Sequence, residues 1–438
     1  MKDTIDDDLV PLIIRPNIFE IDLDAVASCV RQLRAHIGPQ VYFFATLKAN
    51  AYGYGLLPVA QVVLNSGADA LSLANLDDAV RLRQAGIEAP ILVFAGSLPS
   101  EQVVRTVEKF KLIPSIYSEE SGAAFARFST RELEVAVKVD VGPERIGIPA
   151  EQAAAFTKRL ATHRNLKIKI VHAHPQLPLR GRAAECLEWQ YQRFLKALED
   201  LRQAGLDIPL TVFASSKVLK ASGKSMVLSA VDPGAALFTP LAPISEDGNE
   251  PFYSLKSRLI QVREVTRNQF LEKAPFRLVP GMRIGVIPFG YSDGLHRVHC
   301  GEVIVRGVRA KILGSPALEY CRIDLTPIAG AAVGDEVVII GRQSGARISP
   351  QEVLKVQGAA RVSDLALEIK GTVFRKYLQK SLQQEPLPCF PSTERQGMGN
   401  EQKTNNGKSV KIRRRHCRSG RGHGLDVTSI SKDGEKKD

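Results

Sequence analysis

An α/β fold is predicted, a (β/α)8 TIM-type barrel followed by a C-terminal mainly-β domain and a disordered basic tail. Three observations predict it. From about Phe19 to Gly234, short apolar runs alternate with amphipathic stretches. After Gly234 the pattern changes to alternating, turn-bounded strands. Beyond about residue 379, hydrophobic periodicity is lost. The boundaries read from these shifts are 1–240 for the barrel, 241–378 for the β domain and 379–438 for the tail. A length of 438 residues suits two to three domains, and 44% hydrophobic residues are ample for large cores.

The candidate barrel strands are VYFFATL (41–47), ALSLA (70–74), ILVFAG (91–96), LIPSIYS (112–118), EVAVKVD (134–140), IKIVHAH (168–174), LTVFAS (210–215) and MVLSAVDPG (226–234). Most are continuous apolar runs, as parallel strands covered on both faces should be. Between them lie helical patterns. DLDAVASCVRQLRAHIG opens with capping acids and repeats apolar residues at Ala25, Val26, Cys29, Val30, Leu33 and Ile37. NLDDAVRLRQAGI and LEWQYQRFLKALEDLRQAGL behave alike, each ending near a glycine. Eight such units match a barrel. A doubly wound open sheet fits less well, because no GxGxxG follows the first strand. In the second domain, LKSRLIQVREVT, RIGVIPFGYSDG, EVIVRGVRAKILG and DEVVIIG read as strands, with few helical signals before Ala360.

No run is long and apolar enough to span a membrane. MKDTIDDDLVPLII is acidic and does not read as a signal peptide. Six cysteines, none in a CxxC pair, suggest neither a zinc site nor a disulfide framework, and a reduced cytoplasmic setting is expected. The formal charge of +12 is partly carried by the tail, where KIRRRHCRSGRGHG spans Lys411 to Gly424. A nucleic-acid contact there is disfavoured, because no aromatics interleave the arginines as stacking platforms.

In a barrel of this kind the C-terminal strand ends carry the chemistry. FFATLKANAYGYG places Lys48 alone at the lip of the first strand, where desolvation favours a nucleophilic amine. Lys138 and Asp140 end the fifth strand, with Arg145 just beyond. His174 ends the sixth, Ser215 and Ser216 the seventh, and Asp232, Pro233 and Gly234 the eighth. Hydroxyls and glycine amides suit a phosphate. An acid suits a protonated ring nitrogen, and an arginine suits a carboxylate. Together they describe a pocket for pyridoxal 5'-phosphate.

RPNIFEIDLDAV, LKANAYGYG, SLANLDDAVRLRQAGIEAPILV, KVDVGPERIGI, DPGAALF, PFGYSDG and AVGDEVVIIG follow one another in an order that resembles the alanine racemases, over about residues 15 to 377. The resemblance implies an isomerase interconverting L- and D-alanine by two-base proton transfer. It makes Lys48 the Schiff-base lysine and one base. Tyr291 is then the opposing base, supplied by the other subunit of a homodimer with composite sites. Tyr52, Ser216 and the backbone of Gly234 and Ala235 would hold the cofactor phosphate, and His174 would lie behind the ring. Arg145 would bind the substrate carboxylate with Lys138 supporting it, and Leu318 would stand beside the substrate. A base on each face is what racemisation requires.

The chain also departs from the family. Asp232 stands where an arginine is usual, and an aspartate would stabilise a protonated ring nitrogen. H-x-x-N-S reads V-F-A-S-S over Val212 to Ser216, Met-Asp reads Leu318-Glu319, and a late phosphate-binding tyrosine is replaced near Gly371. KVDTGM reads KVDVGP, with Val141 and Pro143. Two alternatives follow: another reaction at Cα, such as decarboxylation, or a non-catalytic cofactor-binding homologue.

Overall fold

The computed structural model describes residues 15–94, 96–178, 181–239, 250–266, 276–358 and 361–379. The tail assigned to 379–438 lies almost wholly outside the described residues.

Eight parallel strands close into a barrel: β1 (Tyr42–Thr46), β2 (Ala70–Leu73), β3 (Ile91–Val93), β4 (Ile113–Ile116), β5 (Leu133–Asp140), β6 (Leu166–Ala173), β7 (Leu210–Ala214) and β8 (Ala230–Val231). Pairing runs β1 to β5 in order, then β5–β6–β7–β8, and β8 returns to β1. Helices precede or separate the strands as the periodicity predicts. Leu23–Ile37 starts where the Asp22 carboxylate accepts from the Ala25 amide at 2.9 Å, capping an orphan donor. Ala183–Gln203 buries Leu187, Phe194, Ala197 and Leu201, and Phe194 stacks on Phe213 of β7 at 5.6 Å.

Strand alternation sorts the core. Phe44, Ala70, Leu92, Ala136, Ile170, Val212 and Ala230 form a separate apolar cluster inside the barrel, with Ile113 against it. Their neighbours one residue away, such as Phe43, Leu71, Val137, Val171 and Val231, join the larger core shared with the helices. One step further along every strand, at +2, come Thr46, Ser72, Phe94, Ser115, Lys138, His172, Ala214 and Asp232. Six of these eight are polar or charged. The interior therefore changes from a packed apolar layer to a polar one just below the C-terminal mouth.

The β domain is built on a seven-stranded sheet. Its order is Val308–Lys311, Glu302–Val305, Glu336–Gln343, Phe252–Arg258, Ile18–Asp22 and Phe374–Leu378, with Ala346–Ile348 paired beside Glu336–Gln343. Gln261–Glu264, Arg283–Ile287 and Cys321–Asp324 form a smaller sheet. One difference from the sequence expectation stands out. Ile18–Asp22, within the stretch assigned to the barrel domain, lies between Phe252–Arg258 and Phe374–Leu378 in the β-domain sheet. Both faces of this strand are buried: Phe19 packs on Phe252 at 4.5 Å, and Glu20 meets Ser254, Lys256 and Lys376. A helix, Pro350–Gln357, also precedes Ala360, capped by Ser349 with Pro350 at its start. Among the described residues, no helix is long and apolar enough to cross a membrane.

Candidate active site

Lys48 follows β1 and opens an unusual turn. Ala49, Asn50, Ala51 and Tyr52 all take positive φ, between 49° and 56°. Four consecutive left-handed residues cost roughly 1–2 kcal/mol each, so the surroundings must hold them. The Asn50 Oδ1 accepts from the Leu56 amide at 2.8 Å. The Gly53 amide donates to the Ala49 carbonyl at 3.0 Å, and Arg375 Nε donates to the Gly53 carbonyl at 2.8 Å. A Cβ at Gly53 would collide with the Ala366 backbone, and one at Gly55 with the Tyr377 hydroxyl. Residues near the C-terminal end of the β domain thus brace the turn that carries the lysine.

The lysine points into a cavity lined also by Phe94, Lys138, Arg145 and His174. Its Nζ sits 4.7 Å over the Phe94 ring. Burial pulls the Lys48 pKa below the ordinary amine value, Asp232 opposes this, and Arg145 reinforces it. Lys138 is buried and shifts down for the same first reason, with Asp232 opposing and Lys48 adding. Asp232 shifts up by burial against the pull of Lys48 and Lys138. Its Oδ1 is buried and has no hydrogen-bond partner. Its carbonyl accepts from Thr46 Oγ1 at 2.9 Å, and Thr46 and Ser72 hydroxyls lie 2.7 Å apart.

His174 is held down to about 3 by burial, with Lys138, Lys48 and Arg145 adding. His172, fully buried beneath it, also falls well below the ordinary value. Its Nε2 lies 2.9 Å from Ser115 Oγ, and Phe94 stacks on its ring at 5.6 Å. Both imidazoles are neutral, which suits a site already crowded with lysines and an arginine.

Arg145 is aimed by its loop. The Asp140 carboxylate accepts from the amides of Gly142 at 2.8 Å, Glu144 at 3.3 Å and Arg145 at 2.7 Å. Asp140 is thus spent on loop amides. Gly142, at φ 128°, lies against the Trp189 ring, leaving no room for a Cβ.

On the far side of the mouth, Ser216 begins a short helix after β7. Its Oγ accepts from the amides of Gly234 at 2.9 Å and Ala236 at 3.1 Å. A Cβ on Gly234 would collide with the Tyr52 hydroxyl, so Tyr52, Ser216 and Gly234 close on one spot. The second amide at Ser216 is that of Ala236, within the 3-10 turn Ala235–Leu237 that follows Gly234.

Lys48, Lys138, Arg145 and His174 therefore share one cavity, Asp232 stands beside the lysines, and Tyr52, Ser216 and Gly234 form an adjoining cradle. Tyr291 and Leu318 do not line the cavity. They are 48% and 52% exposed and lie together on the β domain. The Tyr291 amide donates to the Ala317 carbonyl at 3.0 Å and the Ser292 amide to the Leu318 carbonyl at 3.0 Å. Sequence reasoning missed His172, Phe94, Thr46, Ser72, Ser115 and Ala236. All but Ala236 could have been found by adding two to each inward position of the apolar layer.

The sequence profile of the alanine racemase N-terminal domain matches residues 21–241, and that of the C-terminal domain matches residues 252–377. An alanine racemase of Halothermothrix orenii is 31% identical over 84% of this chain and 98% of its own length. One from Synechocystis is 31% identical over 75% of this chain and 90% of its own. The solved alanine racemase of Bacillus anthracis with bound L-Ala-P superposes with a TM-score of 0.74, at 26% identity, covering 84% of this chain and 97% of that one. On the matches to both domains and the identity across most of its length, the chain belongs to the alanine racemase family.

Proposed function

We propose that the protein interconverts L- and D-alanine with pyridoxal 5'-phosphate, as a cytoplasmic homodimer whose sites are completed by the neighbouring subunit, and so serves to supply D-alanine. The observation that carries this reading is the convergence of a buried lysine, an unpartnered buried carboxylate oxygen and a serine–amide cradle at one barrel mouth.

The residues fit the cofactor. Ser216, tied by its Oγ to the Gly234 amide, the backbone of Gly234 and Ala235, and the Tyr52 hydroxyl beside them would hold the phosphate. Asp232 Oδ1 lacks a partner and would meet a protonated ring nitrogen. Lys48 would supply the amine for attachment, and His174 would lie behind the ring. When bound, pyridoxal phosphate supplies an electron sink that makes the substrate Cα proton removable.

The remaining work falls to side chains. Arg145 binds the substrate carboxylate, and its loop, fixed by Asp140, sets the angle of approach. Lys138 sits beside Arg145 and balances Asp232. Lys48, whose pKa burial lowers, takes or returns a proton on one face of Cα. The Tyr291 phenol of a second subunit does so on the other, with Leu318 packing beside the substrate methyl. Docking a second copy there would desolvate both exposed side chains.

The test is chirality. Protein loaded with pyridoxal phosphate and given pure L-alanine should bring it to a racemic mixture. L-alanine left optically pure would contradict the proposal.

A further inference from the structure

Tyr291 is exposed, yet the turn beneath it is among the most tightly tied in the β domain. Asp293, two residues on, is completely buried. Its carboxylate accepts from the Gly290 amide at 3.0 Å, from Thr372 Oγ1 at 2.7 Å, and from both terminal nitrogens of Arg15 at 3.3 Å. Its carbonyl accepts from the Lys370 amide at 3.2 Å. Arg15 goes further and donates to the carbonyls of Pro288 at 3.0 Å and Glu319 at 3.4 Å. One guanidinium therefore joins the two segments that carry Tyr291 and Leu318. Arg15 and Thr372, which meet on Asp293, come from opposite ends of the described chain. Gly290 has no room for a Cβ against the Leu318 carbonyl, so the two segments are pressed together.

A buried carboxylate is retained only when it is paired and fully hydrogen-bonded. For a fold brace alone, an apolar pair would serve as well. An arginine fork instead fixes direction as well as distance. We infer that Arg15 and Asp293 form a clasp that positions Tyr291, and Leu318 beside it, for entry into the neighbouring subunit's site. Arg15 and Asp293 touch neither substrate nor cofactor in this account, and act through the tyrosine. The inference rests on the role proposed for Tyr291.

Arg15→Met, Arg15→Lys and Thr372→Val test it, alongside the unaltered full-length protein. L- and D-alanine are offered separately in heavy water, and loss of the Cα proton signal is followed. Arg15→Met should slow exchange from one enantiomer by about 100-fold, the cost of displacing a catalytic group by an ångström or so. Exchange from the other, served by Lys48, should change less than about threefold. Thr372→Val should give the same one-sided pattern at about three- to tenfold. Arg15→Lys, which keeps the charge but loses the fork, should fall between Arg15→Met and the unaltered protein. Equal losses from both enantiomers, or none, would overturn the clasp. A second readout is free of catalysis. In Arg15→Met the amides of Tyr291, Ser292 and Asp293 should exchange hydrogen at least about tenfold faster. Unchanged amide exchange would overturn the clasp too. An unaltered protein that exchanges neither enantiomer would count against the proposed function, while the amide exchange would still decide on the clasp.

Discussion

Lys48 and Tyr291 sit in opposite kinds of surroundings. The lysine stands at the end of a barrel strand, above a layered interior, on a left-handed turn that other parts of the chain hold in place. Burial already shifts its pKa towards a neutral amine. The tyrosine is half exposed on the β domain: its amide is tied to the Ala317 carbonyl, and its ring meets His296 edge-on at 6.5 Å. One group is tuned within its own subunit, and the other is merely aimed. On the dimer proposed above, the contrast divides the labour: the barrel supplies environment, and the neighbouring β domain would supply a positioned side chain that becomes desolvated on assembly.

The largest effects should come from removing either group. Lys48→Ala and Tyr291→Phe should each lower racemisation by about 10²–10⁴-fold, measured as the rate of optical-rotation loss. The structural consequences should differ: Lys48→Ala leaves the surface unaltered, and Tyr291→Phe leaves the barrel interior unaltered. A mild effect of either would break the comparison.

Smaller, but confined to the barrel side, is the anion cradle. Ser216→Ala deletes the hydroxyl against the Gly234 and Ala236 amides. Cofactor affinity, read by equilibrium titration of absorbance, should fall about 10- to 100-fold, the worth of one hydrogen bond to a charged group. Unchanged affinity would remove the cradle from the site.

The smallest effect concerns stability and sharpens the same contrast. His174, held down to about 3, stays neutral in the folded barrel across the range where an unfolded histidine protonates, near 6.5. Below that value the unfolded chain binds the extra proton, so stability falls as pH drops from about 7 towards 3. Between pH 7 and pH 5 the cofactor-free protein should lose about 2 kcal/mol through this histidine, measured by urea unfolding. His172 adds in the same direction. His174→Gln should shrink the loss, and a loss undiminished in that variant would contradict the assignment.

Much of the barrel was legible because its strands are apolar, short and regularly spaced, and because alternation dictates which side chains face inward. Lys138 and Asp232 were read off the strand ends, and alternation places both inside. It would also have placed His172 and Ser115 there, had it been applied to every strand rather than to strand ends. Other features were beyond local pattern. IFEID falls within the stretch assigned to the barrel, yet it pairs with segments more than two hundred residues away, and nothing local encodes that choice. Gly53 and Gly55 announce a tight turn, but Ala49, Asn50 and Ala51 give no sign of left-handed backbone. That the Ala236 amide, inside a 3-10 turn, reaches Ser216 is likewise set by the fold and not by local sequence. Arg15 and Asp293 are ordinary charges until the fold brings them together across 278 residues.

The proposed division of labour between subunits is tested most directly by complementation. Lys48→Ala and Tyr291→Phe chains, each inactive alone, would be co-expressed with different tags and the mixed dimer purified. One of its two sites would lack both groups, and the other would carry neither substitution. The account predicts that racemisation returns to about half that of the unaltered dimer, as expected for one intact site of two. A mixed dimer as inactive as its parents would contradict it, and would mean that Lys48 and Tyr291 of different subunits do not meet.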